Sequence, residues 1–181
     1  MAHVGIFMAD GCEEIEGLTV VDILRRAGID IDMISVMDNG FATGSHGIRF
    51  ECDCSLSEAD FSKYDGLVLP GGMPGTTHLG ENAVVVKEIK AFCEAGKLVS
   101  AICAAPSVLG DNGILQGKKA TCHPGFEERL VGAEVVEDVV AVDGNVITSR
   151  GMGTAIPFAL AIVEYFKDAQ TATEIRKGIV Y

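Results

Sequence analysis

Short apolar runs recur along the chain, and stretches with a helical period lie between most of them. The first run, AHVGIFM, predicts a buried strand, and residues 12–27 predict a helix that stops at Gly28. IDIDMISV alternates apolar and polar positions and predicts a second strand. Residues 41–54 predict a strand or hairpin, with Gly40, Gly44 and Gly47 as turn residues. YDGLVLPGG predicts a strand followed by a glycine turn. A helix is expected over 82–95, a strand over KLVSAI, a helix over 104–110 and a short strand over KKATC. AEVVEDVVAVDGNVITS predicts two strands joined by a tight turn at Asp143-Gly144. An amphipathic helix closes the pattern over roughly 154–167, with room for a shorter one after it.

Strand–helix alternation of this kind predicts an α/β fold, a doubly wound and mostly parallel sheet with helices on both faces. There is no internal repeat, low-complexity tract or linker. The 181 residues are expected to form a single domain, 1–181.

Composition narrows the function classes. The apolar share is 48%, which argues against disorder. The apolar run AIPFALAIVEYF is interrupted by Pro157 and Glu164 and is too short to span a bilayer. The N-terminal residues lack a basic segment and a cleavage pattern, so a soluble cytoplasmic protein is expected. The net charge of −12 repels phosphate backbones and anionic lipid heads, which argues against nucleic acid and membrane as partners. Aromatics make up only 6% of residues, Trp is absent, and a base-stacking platform is not indicated. The six cysteines do not read as a disulfide scaffold in a chain with an ample core. ECDC has neither zinc-knuckle nor thioredoxin spacing, and no metal site is expected.

Ligands of open α/β sheets bind beyond the carboxyl ends of the strands. Three segments place unusual residues there: ADGCEEIEG, LPGGMPGTTHLG and Cys103. Cys103 sits where the strand KLVSAI turns into a helix, flanked by the small residues Ala101, Ala104 and Ala105. Such an elbow exposes its apex side chain. A helix starting at Ala104 would aim free N–H groups and its positive end at the sulfur, lowering the thiol pKa. Cys12 and Cys122 are secondary candidates at strand ends. Glu13, Glu14 and Glu16 open the first helix, where acids complement the dipole, and that suffices for Glu14. Glu16 shares a helical stripe with Val20, Ile23 and Ala27, so its carboxylate is expected to be desolvated, with a raised pKa suited to proton transfer. Gly71 and Gly72 would let backbone N–H groups approach a ligand. His123 follows another strand and could act as a base, although a lone His is more often structural.

Taken together, ADGCEEIE, VLPGGMPG, AICAAPSVLG, TCHP and VITSRGMGTAIPFALAIVEYF resemble, in order, the motifs of the ThiJ/PfpI superfamily, most closely its parkinsonism-associated deglycase branch. The resemblance spans nearly the whole chain. It implies a flavodoxin-like homodimer with Cys103 as an oxidation-sensitive nucleophile. It also implies that Glu16 hydrogen-bonds the sulfur, that Gly72 and Ala104 supply backbone N–H groups, and that His123 lines the pocket. The implied activity is cofactor-free, glyoxalase III- or deglycase-type conversion of methylglyoxal-like 2-oxoaldehydes or their adducts. The alternative it carries is a non-enzymatic oxidative-stress sensor or chaperone. A thiazole phosphate role in thiamine synthesis lacks any P-loop to support it. The protease-like branch has His directly after the nucleophile. Here that residue is Ala104, which argues against peptidase activity.

Overall fold

A computed structural model describes all residues, 1–181. Seven strands form the central sheet: β1 (His3–Met8), β2 (Asp30–Ser35), β5 (Cys54–Ser55), β6 (Gly66–Leu69), β7 (Leu98–Ile102), β10 (Val140–Asp143) and β11 (Val146–Ser149). Their order is β10-β11-β7-β6-β1-β2-β5. Every pairing is parallel except the β10–β11 hairpin. Two small ribbons flank the sheet, β3 (Phe41–Thr43) with β4 (Arg49–Glu51), and β8 (Lys119–Ala120) with β9 (Glu134–Val135). The helices are α1 (Glu14–Arg26), α2 (Gly75–Glu81), α3 (Ala83–Glu94), α4 (Pro106–Asp111), α5 (Ala155–Phe166) and α6 (Ala169–Gly178).

The central strands are apolar on both faces because both faces are covered. Successive side chains point to opposite sides of a strand. Val4, Ile6 and Met8 of β1 therefore pack with Val20 and Leu24 of α1 and Phe158 and Ile162 of α5. Phe7 points the other way, with Leu67, Leu69 and Val99 of the neighbouring strands, to meet Ile89 and Phe92 of α3 and Val108 of α4. The result is a three-layer sandwich with two cores.

Several boundaries differ from the sequence expectation. The first helix begins at Glu14 and not at residue 12, which leaves Cys12 in the loop. Residues 75–81 form a helix, α2, where the glycine-rich pattern predicted only a loop. The region 133–149 holds three strands, because Glu134–Val135 pairs with β8 beyond the reach of any local pattern. The β10–β11 turn falls at Gly144-Asn145, one residue later than expected, with Gly144 at φ 60.

Strand order reverses between β1 and β6, so the loops after β1, β6 and β7 converge at one end of the sheet. This is the switch point at which α/β sheets bind ligands.

Candidate active site

Cys103 follows the last residue of β7 and has φ 65, one of three non-glycine residues with positive φ. That conformation is costly for a residue with a Cβ and persists only where neighbours hold it. Here the Cys103 N–H donates to the Ser149 carbonyl at 3.0 Å, and its carbonyl accepts the His123 N–H at 2.8 Å. The backbone is pinned from both sides, and the half-buried side chain stands off the sheet end.

The helix after the elbow differs from expectation. It begins at Pro106, not Ala104, and has only six residues. Its dipole is correspondingly small, and Ala104 and Ala105 form a turn. The Ala104 N–H still reaches the sulfur, as does the Gly72 N–H from the loop after β6. Gly72 adopts φ 88, and a Cβ there would lie 2.3 Å from the Glu13 nitrogen. Only glycine fits that turn.

Glu16 is 1% exposed on α1, in agreement with the stripe argument. Its Oε2 accepts the Gly71 N–H at 2.9 Å, and the carboxyl lies beside the Cys103 side chain across Gly71. Burial pushes the Glu16 carboxyl up to about 7, opposed by the Cys103 thiol and the Gly71 hydrogen bond and assisted by the Glu13 charge. The thiol does not follow the expected direction. Burial pushes Cys103 up to about 12, helped by the Glu16 carboxylate and opposed by the Gly72 and Ala104 N–H groups. Burial outweighs the two donors, and the carboxylate expected to assist the thiol adds to it by repelling the thiolate. When the shared proton resides on Glu16, the repulsion is gone and two backbone donors remain facing the sulfur.

His123 is exposed at the rim. Its Nδ1 lies 2.9 Å from the Pro124 carbonyl, which leaves Nε2 for a ligand. A Cβ built on Gly151 would lie 3.5 Å from the His123 ring and 3.9 Å from Glu16 Oε1, so these two groups border the same glycine. Cys103, Glu16, Gly72, Ala104 and His123 are thus brought together by four separate segments. The secondary candidates are not: Cys12 is buried among loops and raised to about 12 by burial, and Cys122 packs into the α3/α4-side core.

One site residue has a different role from the one expected and another escaped the sequence reading. Gly71, expected to offer its N–H to a ligand, gives it to Glu16 instead, and a Cβ there would lie 2.5 Å from Cys103 Cβ and 2.7 Å from Glu16 Oε2. Ser149 holds the elbow through a backbone carbonyl, which carries no side-chain signal at all. Glu14 also departs from its expected role. It is 3% exposed and accepts the His46 N–H at 2.9 Å, tying the β3–β4 hairpin to the start of α1.

The sequence profile of the DJ-1/PfpI family matches residues 2–165. Protein dj-1beta of Drosophila melanogaster is 37% identical over 177 residues, covering 97% of this chain and 95% of that protein. A Caenorhabditis elegans relative described as glutathione-independent glyoxalase DJR-1.2 is 32% identical, covering 94% of this chain and 91% of its own. The solved structure of oxidized Toxoplasma gondii DJ-1 superposes with a TM-score of 0.95 at 34% identity, covering 100% of this chain and 99% of that one. With the flavodoxin-like sheet order and the elbow already in place, these matches establish that the chain belongs to the DJ-1/PfpI family.

Proposed function

We propose that the protein is a cysteine-dependent, cofactor-free enzyme that converts methylglyoxal-like 2-oxoaldehydes, or their adducts, to hydroxy acids. The observation that carries this reading is the buried Glu16 carboxyl set beside the side chain of a strained elbow cysteine, the two flanking the same face of Gly71. The relative described as a glutathione-independent glyoxalase supports the same chemistry.

In this mechanism the Cys103 proton passes to Glu16, the sulfur adds to the aldehyde carbon, and Glu16 returns the proton to the new alkoxide oxygen, giving a hemithioacetal and a free carboxylate. The Gly72 and Ala104 N–H groups that face the sulfur are placed to steady negative charge formed beside it. A carboxyl near pKa 7 gives and takes protons with little driving-force penalty at neutral pH. Glu16, assisted by His123 at the rim, moves the proton from the former aldehyde carbon to the adjacent carbon through an enediol. The product is a thioester of the 2-hydroxy acid. Water attacks it, the C–S bond breaks, and the thiol regains its proton.

A second reading is a redox sensor in which Cys103 is oxidised and the Glu16 proton stabilises the sulfinate. The oxidized state in which the Toxoplasma relative was solved favours it. Methylglyoxal turnover measured without glutathione separates the two. The enzyme reading expects lactate formation that is lost in Cys103→Ser, and absence of turnover in the reduced protein overturns it.

The protein is further proposed to act as one domain, residues 1–181, in a cytoplasmic homodimer. No helix is long and apolar enough to cross a membrane, and all six cysteines are free, as a reducing compartment would keep them. An open groove of about 660 Å³, lined by Ile15, Leu18, Ile48, Ile156 and Ile179, runs along the outer side of α1 and supplies an apolar surface for a second copy. Light scattering that shows a monomer at micromolar concentration removes the dimer.

A further inference from the structure

We propose that Glu13, Glu14 and His46 form a binding site for a divalent transition-metal cation of the zinc class. The three residues take no step in the thiol chemistry, although the Glu13 charge is felt at Glu16, and the 32-position separation of Glu14 and His46 hides the cluster from any spacing motif. Glu13 and Glu14 open α1, and His46 is in the turn joining β3 to β4. That turn is docked on the helix start: the Ser45 N–H donates to the Cys12 carbonyl at 2.8 Å and the His46 N–H to Glu14 Oε1 at 2.9 Å.

The donors already converge. His46 Nδ1 lies 3.1 Å from Glu14 Oε2 and 3.5 Å from Glu13 Oε2, and all three atoms are within 4.8 Å of one another. Zinc–ligand bonds of about 2.0–2.2 Å at tetrahedral angles separate donors by about 3.3–3.6 Å. The side chains need only small adjustments to reach such a sphere. Without a metal the two carboxylates share one ring N–H as an ion pair. A divalent cation bonds all three.

The donor set also sets the class of ion. One imidazole and two carboxylates balance the ion's charge, and the imidazole favours zinc, cobalt, nickel or copper over magnesium and calcium. Glu14 is fixed for the task, because its Oε1 is held by the His46 N–H while Oε2 faces the imidazole. Partners of this kind orient metal ligands. Exposure is graded across the site. The Glu14 and Glu13 side chains are 4% and 15% exposed, whereas His46 is 66% exposed and leaves an approach from solvent. Ser45 Oγ, 3.1 Å from His46 Nδ1, borders the open side.

Cobalt(II) and zinc titrations of the reduced, intact protein test the proposal. One equivalent of cobalt should bind with visible d–d absorption and without a thiolate charge-transfer band. Zinc should displace it, and magnesium at the same concentration should not. Loss of a ligand should cost at least what loss of an orienting partner does, so His46→Gln and Glu13→Gln should each weaken zinc binding by about a hundredfold, with thermal stability of the metal-free protein retained. Cys103→Ser should bind as the parent does. A thiolate band that vanishes in Cys103→Ser, affinity unchanged in both His46→Gln and Glu13→Gln, or no saturable binding at submillimolar metal each overturns the site.

Discussion

The Gly71 N–H donates to Glu16 Oε2 at 2.9 Å, and a methyl group on Gly71 would have to occupy space 2.7 Å from that same oxygen. One residue therefore holds the acid and leaves room for it. The bond crosses from the loop after β6 to α1 and fixes the carboxyl beside the sulfur.

Gly71→Ala tests this arrangement. The added Cβ would also meet Cys103 Cβ at 2.5 Å and the Ile102 carbonyl at 2.8 Å, and neither of these two is the far end of a flexible chain. Overpacking of this kind costs about 1–3 kcal/mol. Denaturant unfolding should show that loss, and turnover should fall with it because the acid and thiol are pushed apart. Gly153→Ala has open space around its Cβ and serves as the control. Equal stability of the two variants would mean that the loop accommodates the methyl group.

Mild peroxide should oxidise Cys103 before the other five thiols. Cys12 and Cys122 are buried at 0% and 3% exposure, and burial raises both. Cys52 and Cys54 are more open, but burial and neighbouring acids raise them, only partly opposed at Cys54 by the Tyr64 hydroxyl. Cys103 alone combines partial exposure with two backbone N–H donors and a carboxyl that can take its proton. Intact mass and peptide mapping give the order of modification. First oxidation at Cys52, Cys54 or Cys93, which are also partly exposed, would show that exposure outweighs the elbow.

The layers of the fold were legible because buried parallel strands and amphipathic helices write their periods into the chain. The stripe of Glu16 with Val20 and Ile23 was legible for the same reason, and it gave both the burial and the raised pKa. What escaped was set by contacts distant in sequence. The β8–β9 pair is two residues per strand and has no period to read. Helix α2 starts amid glycines whose spacing suggests a loop. Glu14 read as a dipole partner because its burial comes from His46 and Ile48, more than thirty residues away. The direction of the Cys103 thiol failed because the elbow pattern shows neither how deeply the sulfur is buried, which is the larger effect, nor how close the Glu16 charge comes.

Glu14→Ala should loosen the hairpin. Burial alone would raise the Glu14 carboxyl, but its own N–H, the N–H groups of His46 and Ile48 and the His46 ring outweigh burial and hold it below the usual value. A depressed acid stabilises the fold above its unfolded pKa of about 4.5, and that contribution is lost as pH falls through the lower folded value. Removing the side chain takes away the acceptor of part-buried N–H groups in an exposed turn, at about 0.5–1.5 kcal/mol. Urea melts should show the loss at pH 7, shrinking under acid. Hydrogen exchange should speed up at His46 and Ile48. Unchanged exchange there would place the hairpin's anchor elsewhere.

Glu16→Gln separates catalysis from stability. The change keeps the shape and removes the titratable proton. Turnover of a 2-oxoaldehyde should fall by about a hundredfold or more, the usual contribution of a positioned general acid or base. Stability should move the other way. Glu16 has its folded pKa raised from 4.5 to about 7, so the fold binds a proton that the unfolded chain releases. The stability linked to that proton is fully present below pH 4.5 and is lost as pH rises through about 7. A shift of this size corresponds to roughly 3 kcal/mol, since each unit is worth about 1.4 kcal/mol. The amide does not ionise and escapes the loss. Parent and variant should therefore differ by a constant amount in acid, diverge between pH 4.5 and 7, and run parallel above, with the variant gaining ground throughout the divergence. A variant that keeps full turnover, or whose stability tracks the parent's across that pH range, would remove Glu16 from the proton chemistry.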